Sequence, residues 1–462
     1  MHTVQSGYSL TLEIRDGFEK KLDEWLLSIR DDPGGNDKIP FNRIRSALYC
    51  SIVTVSRQSK APDQSVDAPP TPPSEKELPA MMMFLSSISG PMKTHIDQLV
   101  QEAGAGMREL LGFCKGVDEV EIASDKGLKR YLLKKKATDT FYTGMQYLSY
   151  DDIEKENILR QRLEVFINEE QKKGNQAFLS ADNSNWASKA RKEIIDFTSS
   201  QQDLEWATKP WKLSLSDYWQ SNIALWRTLL FILGVGILTL IGAHFGVPYL
   251  EHLWSYFWKG IGIFVSVFLL LLILNDFKKH SVAGRLKDSR VKDINAHQLH
   301  PVINEITLAG PVKKGFIRRL AFFLILWLAK NLKFALKIPT VVTARWIPMN
   351  GSKRLVFISN FANTSEGYVR DFIDSKGRGR KINLIFGQGY GYPRTLFVVF
   401  KGAIDNPIPF VNDVYWFQHN TQFWYSPFKD LTIDNIRTNH EIRKGLAGNM
   451  SEKNARKWLK SF

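Results

Sequence analysis

The chain has 462 residues and a formal net charge of +15 at pH 7. That length leaves room for two or three domains. Two cysteines, Cys50 and Cys114, are too few for a disulfide framework, which excludes the small disulfide-stapled class of secreted protein. The positive charge indicates nucleic acid or an anionic membrane as a partner. The N-terminal segment MHTVQSGYSLTLEIRD has no apolar core, so we do not expect a signal peptide.

The first predicted domain covers residues 1–171 and combines strands with helices. Alternating or β-branched stretches predict strands, and apolar residues spaced by three or four predict helices. The predicted strands are 8–14, 44–55, 81–87 and 139–145, and the predicted helices are 16–29, 92–104, 126–136 and 151–171. Ser149 and Asp152 form a predicted N-terminal cap for the last helix. Residues 61–79 contain six prolines, which predicts an extended or disordered loop.

Two long apolar runs occupy the middle of the chain. They follow a polar linker and juxtamembrane segment, 172–222, that contains four tryptophans. Run 228–249 has no Asp, Glu, Lys or Arg, and run 254–274 has one charged residue, Lys259. Each run has about the 20 residues that cross a hydrocarbon core of about 30 Å. We therefore predict a two-helix transmembrane hairpin over 223–277, with a pair of buried core helices in a soluble protein as the alternative.

The charges beside the hairpin predict its orientation. The loop between the runs has no Lys or Arg, whereas the basic linker 278–300 has several. An excess of positive charge beyond the hairpin places both flanking halves in the cytoplasm. The prediction is a multi-pass protein of the inner (cytoplasmic) membrane, with both termini cytoplasmic and anionic lipid as a partner. Because the membrane accounts for the net charge, no nucleic-acid partner is expected.

The second predicted domain covers residues 301–462. Its predicted strands are 302–308, 340–347, 354–360, 383–386, 396–400 and 422–426, and its predicted helices are 315–336, 364–374, 410–419 and one from Thr432. The apolar run 320–329 is too short to span a bilayer. Helix 315–336 is therefore expected either to pack on a sheet or to lie in the membrane interface.

The two halves align with one another. Residues 83–100 match residues 356–373 without a gap, and residues 141–160 match residues 424–443 in the same order. Each half thus provides a split βαβ, or ferredoxin-like, unit. Such a sheet has helices on one face only, and its other apolar face must also be buried. We therefore expect the two repeats to pack these faces against each other within the chain. The predicted class is α+β, with two ferredoxin-like repeats that form a pseudo-dimeric α/β barrel, plus the hairpin.

Three segments of the second half carry a family resemblance. TARWIPMNGSKRLVFISNFANTSEGYVRDFID, GYPRT and FWYSPFKDLTIDNIRTNHEIRKGL resemble a bacterial family of paired ferredoxin-like proteins, largely without assigned activity. Its members are similar to the dimeric α/β-barrel superfamily, which includes dye-decolorising peroxidases and chlorite dismutases. The resemblance covers 302–446 well and 8–167 more weakly. Where the family usually has Ser-Asn-Tyr-Asp-Gly-Ser-Trp, residues 359–365 read SNFANTS, so the acidic residue and the glycine are missing.

The candidate ligand-binding residues lie in or beside these segments: Arg345, Asn360, Tyr392, Arg394, His419, Trp424 and Tyr425. Arg345 places a cation on a strand and, if it points inward, needs a partner or an anionic ligand. Tyr392 and Arg394 are candidates for a pocket mouth, and Trp424 and Tyr425 for an aromatic wall, with a packed core as the alternative. His419 is a candidate axial ligand if the resemblance extends to haem. No metal site is predicted, because the histidines 297 and 300 lack acidic or cysteine companions.

No hydrolase, P-loop, zinc-protease, thioredoxin or kinase motif occurs in the sequence. The leading hypothesis is therefore a membrane-anchored, cytoplasm-facing binding or accessory protein for a small apolar or lipid-like ligand. The resemblance implies an alternative, a haem-dependent peroxidase-like oxidoreductase, in which haem would be the cofactor. A structural scaffold that assembles with partners is a third possibility.

Overall fold

The computed structural model describes residues 5–57, 78–145, 147–179, 185–213, 215–221, 223–245, 250–276, 288–296, 300–313, 315–331, 341–351, 353–373 and 376–462. The Pro-rich stretch 61–79 lies outside these residues except for its last two positions, and so does much of the basic linker 278–300.

The strands, in chain order, are β1 (Gln5–Glu13), β2 (Ala47–Val55), β3 (Met81–Ser89), β4 (Thr140–Thr143), β5 (Ile303–Pro311), β6 (Val341–Met349), β7 (Arg354–Ala362), β8 (Thr395–Leu396), β9 (Phe400–Lys401), β10 (Gln418–His419) and β11 (Phe423–Tyr425).

The helices of the first half are α1 (Glu19–Arg30), α2 (Met92–Gly112), α3 (Glu119–Ile122), α4 (Asp125–Lys134) and α5 (Tyr150–Lys172). The middle of the chain contains α6 (Gln176–Leu179), α7 (Trp186–Ser200), α8 (Leu215–Ser221), α9 (Ile223–His244), α10 (Leu250–Asp276) and α11 (Asp288–Ala296). The second half adds α12 (Phe316–Asn331), α13 (Ser365–Ile373), α14 (Lys376–Phe386), α15 (Pro407–Phe417), α16 (Ile433–Leu446) and α17 (Glu452–Leu459).

Two antiparallel sheets form the centre of the protein, which confirms the α+β class. Sheet 1 has the strand order β1-β3-β2-β11, and sheet 2 has the order β10-β5-β7-β6-β4. The first half therefore contributes β4 to sheet 2, and the second half contributes β11 to sheet 1. Each half completes the sheet of the other.

The same two segments join the sheets at their edges. At one edge Lys136 bridges to Leu10 of β1, and the chain then continues into β4, which pairs with β6. At the other edge β10 pairs with β5, and β11, a few residues later, pairs with β2. At each edge of sheet 1 one chain segment pairs first with one sheet and then with the other, so the two sheets are connected there through the chain itself.

Alternation along the strands divides the core into layers. The outward residues of sheet 1, such as Tyr8 and Phe84, are buried against α1, α2 and α4. Those of sheet 2, such as Trp346 and Phe357, are buried under the helices of the second half. The inward residues of the two sheets pack on one another in an apolar layer of Val53, Val55, Met81, Met83, Leu85, Ala309, Ile347, Met349, Val356 and Ile358. Full burial of a Val, Leu, Ile or Met side chain in this layer contributes about 1.5–3 kcal/mol.

Helices α5 and α16 begin with the same local device. The Ser149 hydroxyl accepts a hydrogen bond from the Asp152 backbone N–H at 3.0 Å, and the Asp152 carboxylate accepts one from the Ser149 N–H. Thr432 and Asn435 form the matching reciprocal pair at α16. These capping boxes satisfy backbone donors that a helix N-terminus otherwise leaves unpaired. The predicted cap at Ser149 is confirmed.

The predicted strand 383–386 is wrong, because these residues form the last turn of α14. The apolar residues Ile382 and Ile385 are buried and lie three positions apart, so they share one helical face. A short apolar run is compatible with either a strand or a helix, and here packing against sheet 2 favours the helix.

Within the segment 172–222, which was predicted to be a linker, helix α7 packs into a cluster with α5, α16 and α17.

The prediction of a multi-pass inner-membrane protein with both termini in the cytoplasm is wrong. Among the described residues only α10 is long and apolar enough to cross a membrane, over Ser255–Asn275, and 6% of that stretch is buried. The apolar part of α9, Trp226–Gly242, is shorter. At 1.5 Å per residue it extends about 25 Å, less than the roughly 30 Å of a hydrocarbon core. One such helix does not establish a membrane topology.

Candidate functional site

A polar layer lies between the two sheets, next to the apolar one. Arg345 on β6 points inward and is 4% exposed. Its Nη1 donates to the Tyr8 carbonyl oxygen at 2.7 Å and to Ser9 Oγ at 3.0 Å, and its Nη2 donates to Ser87 Oγ at 3.0 Å. The cation predicted on this strand therefore reaches across to sheet 1. Its hydrogen bonds offset part of the cost of burying the charge.

A bulge in β6 determines which face Arg345 occupies. The register between β6 and β7 shifts between Val341 and Thr343, and a one-residue shift moves every later side chain to the other face of the sheet. A similar shift separates Ala47 from Tyr49 in β2. Beyond these shifts the side chains of Thr343 and Arg345 point into the polar layer.

Two carboxyl groups balance the Arg345 charge. Asp139 accepts a hydrogen bond from Ser9 Oγ at 2.7 Å, and Glu305 lies on β5, which is separated from β6 by β7. Burial lowers the pKa of Arg345, and the charges of Asp139 and Glu305 raise it again. The guanidinium also lies 5.3 Å from the centre of the Phe141 ring, within the range of a cation–π contact. Arginine stays protonated in such a setting, so this layer carries a fixed positive charge.

Burial also shifts the protonation of Glu305 in this layer. Removal of water from around the carboxyl raises its pKa to about 7, against the lowering effect of hydrogen bonds from Ser51 and Thr421 and of the Arg345 charge. The Thr421 hydroxyl donates to Glu305 Oε1 at 3.1 Å. With a pKa near neutrality the carboxyl can both donate and accept a proton.

A chain of hydrogen bonds connects Trp424 to the same face of sheet 2. Trp424 Nε1 donates to Asn360 Oδ1 at 2.7 Å, and Asn360 Nδ2 donates to Thr343 Oγ1 at 3.0 Å. The strand register places Asn360 directly beside Glu305 on one side and Thr343 on the other. These cross-strand neighbours hold the Trp424 ring in place.

The polar layer opens to the surface at one end. We call this opening the Glu305 cleft; it has a volume of about 510 Å³. It is lined by Arg30, Asp31, Asp32, Pro33, Gly34, Ile294, His300, Asn304, Glu305, Gln418, His419, Asn420, Thr421, Gln422, Trp424, Tyr425, Ser426 and Lys429. Most of these side chains are polar. The His300 and Trp424 rings lie 4.5 Å apart and form its aromatic part. Burial and the Lys429 charge lower the pKa of His300, so its ring is neutral at pH 7.

The candidates predicted from sequence separate into two groups. His419, Trp424 and Tyr425 line the cleft, and Asn360 and Arg345 belong to the polar layer joined to it.

Tyr392 and Arg394 lie elsewhere. The Tyr392 hydroxyl donates to Asn383 Oδ1 at 2.7 Å and its ring packs on Phe410, on the outer side of sheet 2. Arg394 is exposed and does not line the cleft. The GQGYGYPRT segment brings neither side chain to the cleft.

Sequence reasoning missed Glu305, Thr421 and Asp139, and it considered His300 only as a metal ligand. The signal that could have identified Glu305 is a single carboxylate within the apolar strand INEITLAGP, because a charged residue on a buried strand requires partners. The partners themselves were not visible, since they come from β2, β6 and the segment before β11.

The cleft does not fit a haem. A porphyrin needs an apolar slot beside its axial ligand, and the neighbours of His419 in the lining are Gln418, Asn420, Thr421 and Gln422. Among the described residues, no group of three or more His, Cys, Asp or Glu side chains is arranged to hold a metal ion.

Comparison with known proteins gives no family for this chain: no protein-family model matches it, and no curated protein matches it. The resemblance to paired ferredoxin-like proteins therefore stays a prediction.

Proposed function

We propose that this protein is a membrane-anchored binding protein whose ligand occupies the Glu305 cleft. The observation that carries the proposal is Glu305 itself, a carboxyl whose pKa burial raises to about 7 at the inner end of an open cleft. A strongly perturbed ionisable group in a cleft is typical of a functional site. Hydrogen bonds from the side chains of Ser51, Thr421 and Asn360 fix the position of the Glu305 carboxyl.

The lining favours a small polar ligand over the apolar or lipid-like one expected from the sequence. Glu305 offers an acceptor for an amine or hydroxyl group, and neutral His300 offers a second polar contact. The adjacent ring of Trp424 provides a flat apolar contact for one side of the ligand. A few converging polar groups beside one aromatic wall are the usual composition of a specific small-molecule site.

Anchoring is proposed through α10. The stretch Ser255–Asn275 is apolar and almost wholly exposed, and α9 packs alongside it. Exposed side chains such as Phe264 and Leu270 would face water in a soluble protein, at a cost of about 25 cal/mol per Å². Lipid removes that cost, so we propose that α10 is embedded in a bilayer.

The architecture proposed for the remainder is a duplicated ferredoxin-like unit closed into a pseudo-dimeric α/β barrel. Three features support it: the exchange of β4 and β11 between the sheets, the matched bulges in β2 and β6, and the matched capping boxes of α5 and α16. The Glu305 cleft then opens at one end of the barrel interior.

The test is native mass spectrometry of the protein extracted in mild detergent. Three forms are compared: the wild type, Glu305→Gln, and Glu441→Gln as a control with the same change at an exposed position on α16. We expect a small-molecule adduct on the wild type and on Glu441→Gln that is lost from Glu305→Gln. The same adduct on all three forms, or none on the wild type, would refute the proposal.

A further inference from the structure

Helix α12 is apolar around most of its circumference, yet only one side of it faces the protein. Phe322, Ile325 and Leu326 are buried against sheet 2. The opposite side exposes Phe316, Phe323, Leu324, Trp327 and Leu328. A helix that is apolar on all sides belongs inside a protein or against lipid. Because the described residues cover only one side of α12, the exposed Phe316, Phe323, Leu324 and Leu328 indicate a further partner.

The exposed side of α12 continues the surface of α10. Leu272, near the end of α10, is buried together with Ala321 of α12. Arg318 Nε donates a hydrogen bond to Asn275 Oδ1 at 2.9 Å, and Arg318 is fully buried. The start of α12 is therefore attached to the residue at which the apolar stretch Ser255–Asn275 ends. In the proposed anchoring, α12 begins where α10 leaves the bilayer.

The tip of the β8–β9 hairpin joins the same cluster. Val398 is buried against Leu272 and Ala321, whereas its neighbours Phe397 and Phe400 are exposed. Phe397 and Val398 have φ of 51° and 66°, a conformation that β-branched residues such as valine rarely adopt. In this turn the Val398 side chain is buried in the cluster, and the side chains of Phe397 and Phe400 are exposed to solvent.

Basic side chains surround this apolar surface. Arg319, Arg380 and Lys401 are exposed, and the Arg380 guanidinium lies 5.2 Å from the centre of the Phe400 ring. Long basic side chains at the edge of an apolar surface extend toward headgroups and are attracted by anionic lipid. With 16 residues, α12 extends about 24 Å, too short to cross the hydrocarbon core.

We propose that α12 and the β8–β9 hairpin form a membrane-docking surface that lies in the headgroup region of an anionic bilayer. This inference rests on the proposed anchoring by α10 and adds to it. A tether formed by α10 alone would leave the folded part free to move above the membrane. A second contact through α12 instead holds it against the lipid in one orientation.

Fluorescence quenching in lipid nanodiscs of phosphatidylcholine with phosphatidylglycerol tests this. A polarity-sensitive dye is attached to Phe323→Cys on α12, to Val267→Cys on α10, or to Val120→Cys on α3. All three positions are exposed, and Val120, at 84% exposure, is the control on the first half. The native Cys50 and Cys114 are buried and stay unlabelled in the folded protein. Nitroxide lipids with the spin label just below the headgroup serve as the quencher.

We expect quenching of the dye at positions 323 and 267 and none at position 120. In nanodiscs of phosphatidylcholine alone, or with Arg319→Gln and Arg380→Gln added, quenching at position 323 should fall while that at 267 persists. If the dye at position 267 is quenched and the dye at 323 is not, α12 does not dock on the membrane, and only the α10 anchor is supported. The same conclusion follows if the dye at 323 is blue-shifted but unquenched, because a second copy of the chain then covers it. Absence of quenching at 267 would overturn both.

Discussion

Arg345 donates a 2.7 Å hydrogen bond to the backbone carbonyl of Tyr8, a residue 337 positions earlier in the chain. This bond joins the inner face of β6 to β1, so one cation connects the two sheets and the two halves of the sequence. The carboxyls of Asp139, just before β4, and Glu305, on β5, balance its charge.

Replacing Arg345 with methionine should destabilise the fold strongly. The substitution leaves the Tyr8 carbonyl and the Ser9 and Ser87 hydroxyls without their donor, and leaves two carboxyls without a cation. Breaking a buried charged network of this kind costs roughly 3–5 kcal/mol. Urea unfolding followed by tryptophan fluorescence gives the free energy of unfolding. Arg130→Met, at an exposed position on α4, should change it by less than about 0.5 kcal/mol. Equal values for the two variants would contradict the role given to Arg345.

Glu305 should make the protein less stable as the pH rises. Its pKa of about 7 in the folded state lies above its ordinary value of 4.5, so between these values the folded state holds a proton that the unfolded state has released. The free energy of unfolding then falls by roughly 3 kcal/mol across this window and levels off above it.

The pH dependence is measured as a difference between variants. Glu305→Gln is neutral at every pH, so its free energy of unfolding should fall less than that of the wild type from pH 4.5 to 7. Glu441→Gln should behave like the wild type. Parallel curves for the wild type and Glu305→Gln would show that this carboxyl has no raised pKa.

Gly445 should not tolerate a methyl group. A Cβ at this position in α16 would lie 1.9 Å from Trp458 Nε1, and the Trp458 ring is held in place by its 3.1 Å hydrogen bond to the Ile442 carbonyl. Gly445→Ala therefore forces α17 away from α16, at a cost of about 1–3 kcal/mol. Gly112, in α2, has nothing within 4 Å of the same atom. Gly112→Ala should be neutral or stabilising by up to about 1 kcal/mol. Thermal unfolding gives the melting temperature of each variant. A Gly445→Ala protein as stable as the wild type would rule out the close packing of α16 and α17.

The two cysteines should be unreactive in the native protein. Burial raises the pKa of both thiols to about 12, so almost no thiolate is present at neutral pH. Ellman's reagent should detect no free thiol until urea is added, and then both. Val120→Cys supplies an exposed thiol as the positive control. Rapid reaction of the wild type without denaturant would contradict the burial of Cys50 and Cys114.

Local features of the fold were largely predictable from the sequence. The capping box at Ser149 and Asp152 lies within four consecutive residues, so the pattern alone is sufficient to place the start of α5. Residues 383–386 show the limit of such patterns, because a short apolar run has no unique period and formed a helix. For α9, the absence of charge predicted a span, but the apolar stretch is too short for one.

The candidate site was only partly predictable. Arg345, His419 and Trp424 were identified because a cation on a strand, a histidine and an aromatic cluster are visible in the sequence. Glu305 was not, because its raised pKa depends on partial burial between the assembled sheets. Tyr392 was selected for its place in a glycine-rich loop, yet packing on Phe410 buries it elsewhere.

The sequence by itself determined the α+β class, most of the helices and strands, and the apolar character of α10, since these depend on neighbouring residues and on spacing along the chain. Only the tertiary structure decided that β4 and β11 exchange sheets, that Arg345 and Glu305 share one layer, and that half of α12 is left uncovered. Such pairings join residues hundreds of positions apart, and their free energy depends on register and on the removal of water, which no local pattern encodes.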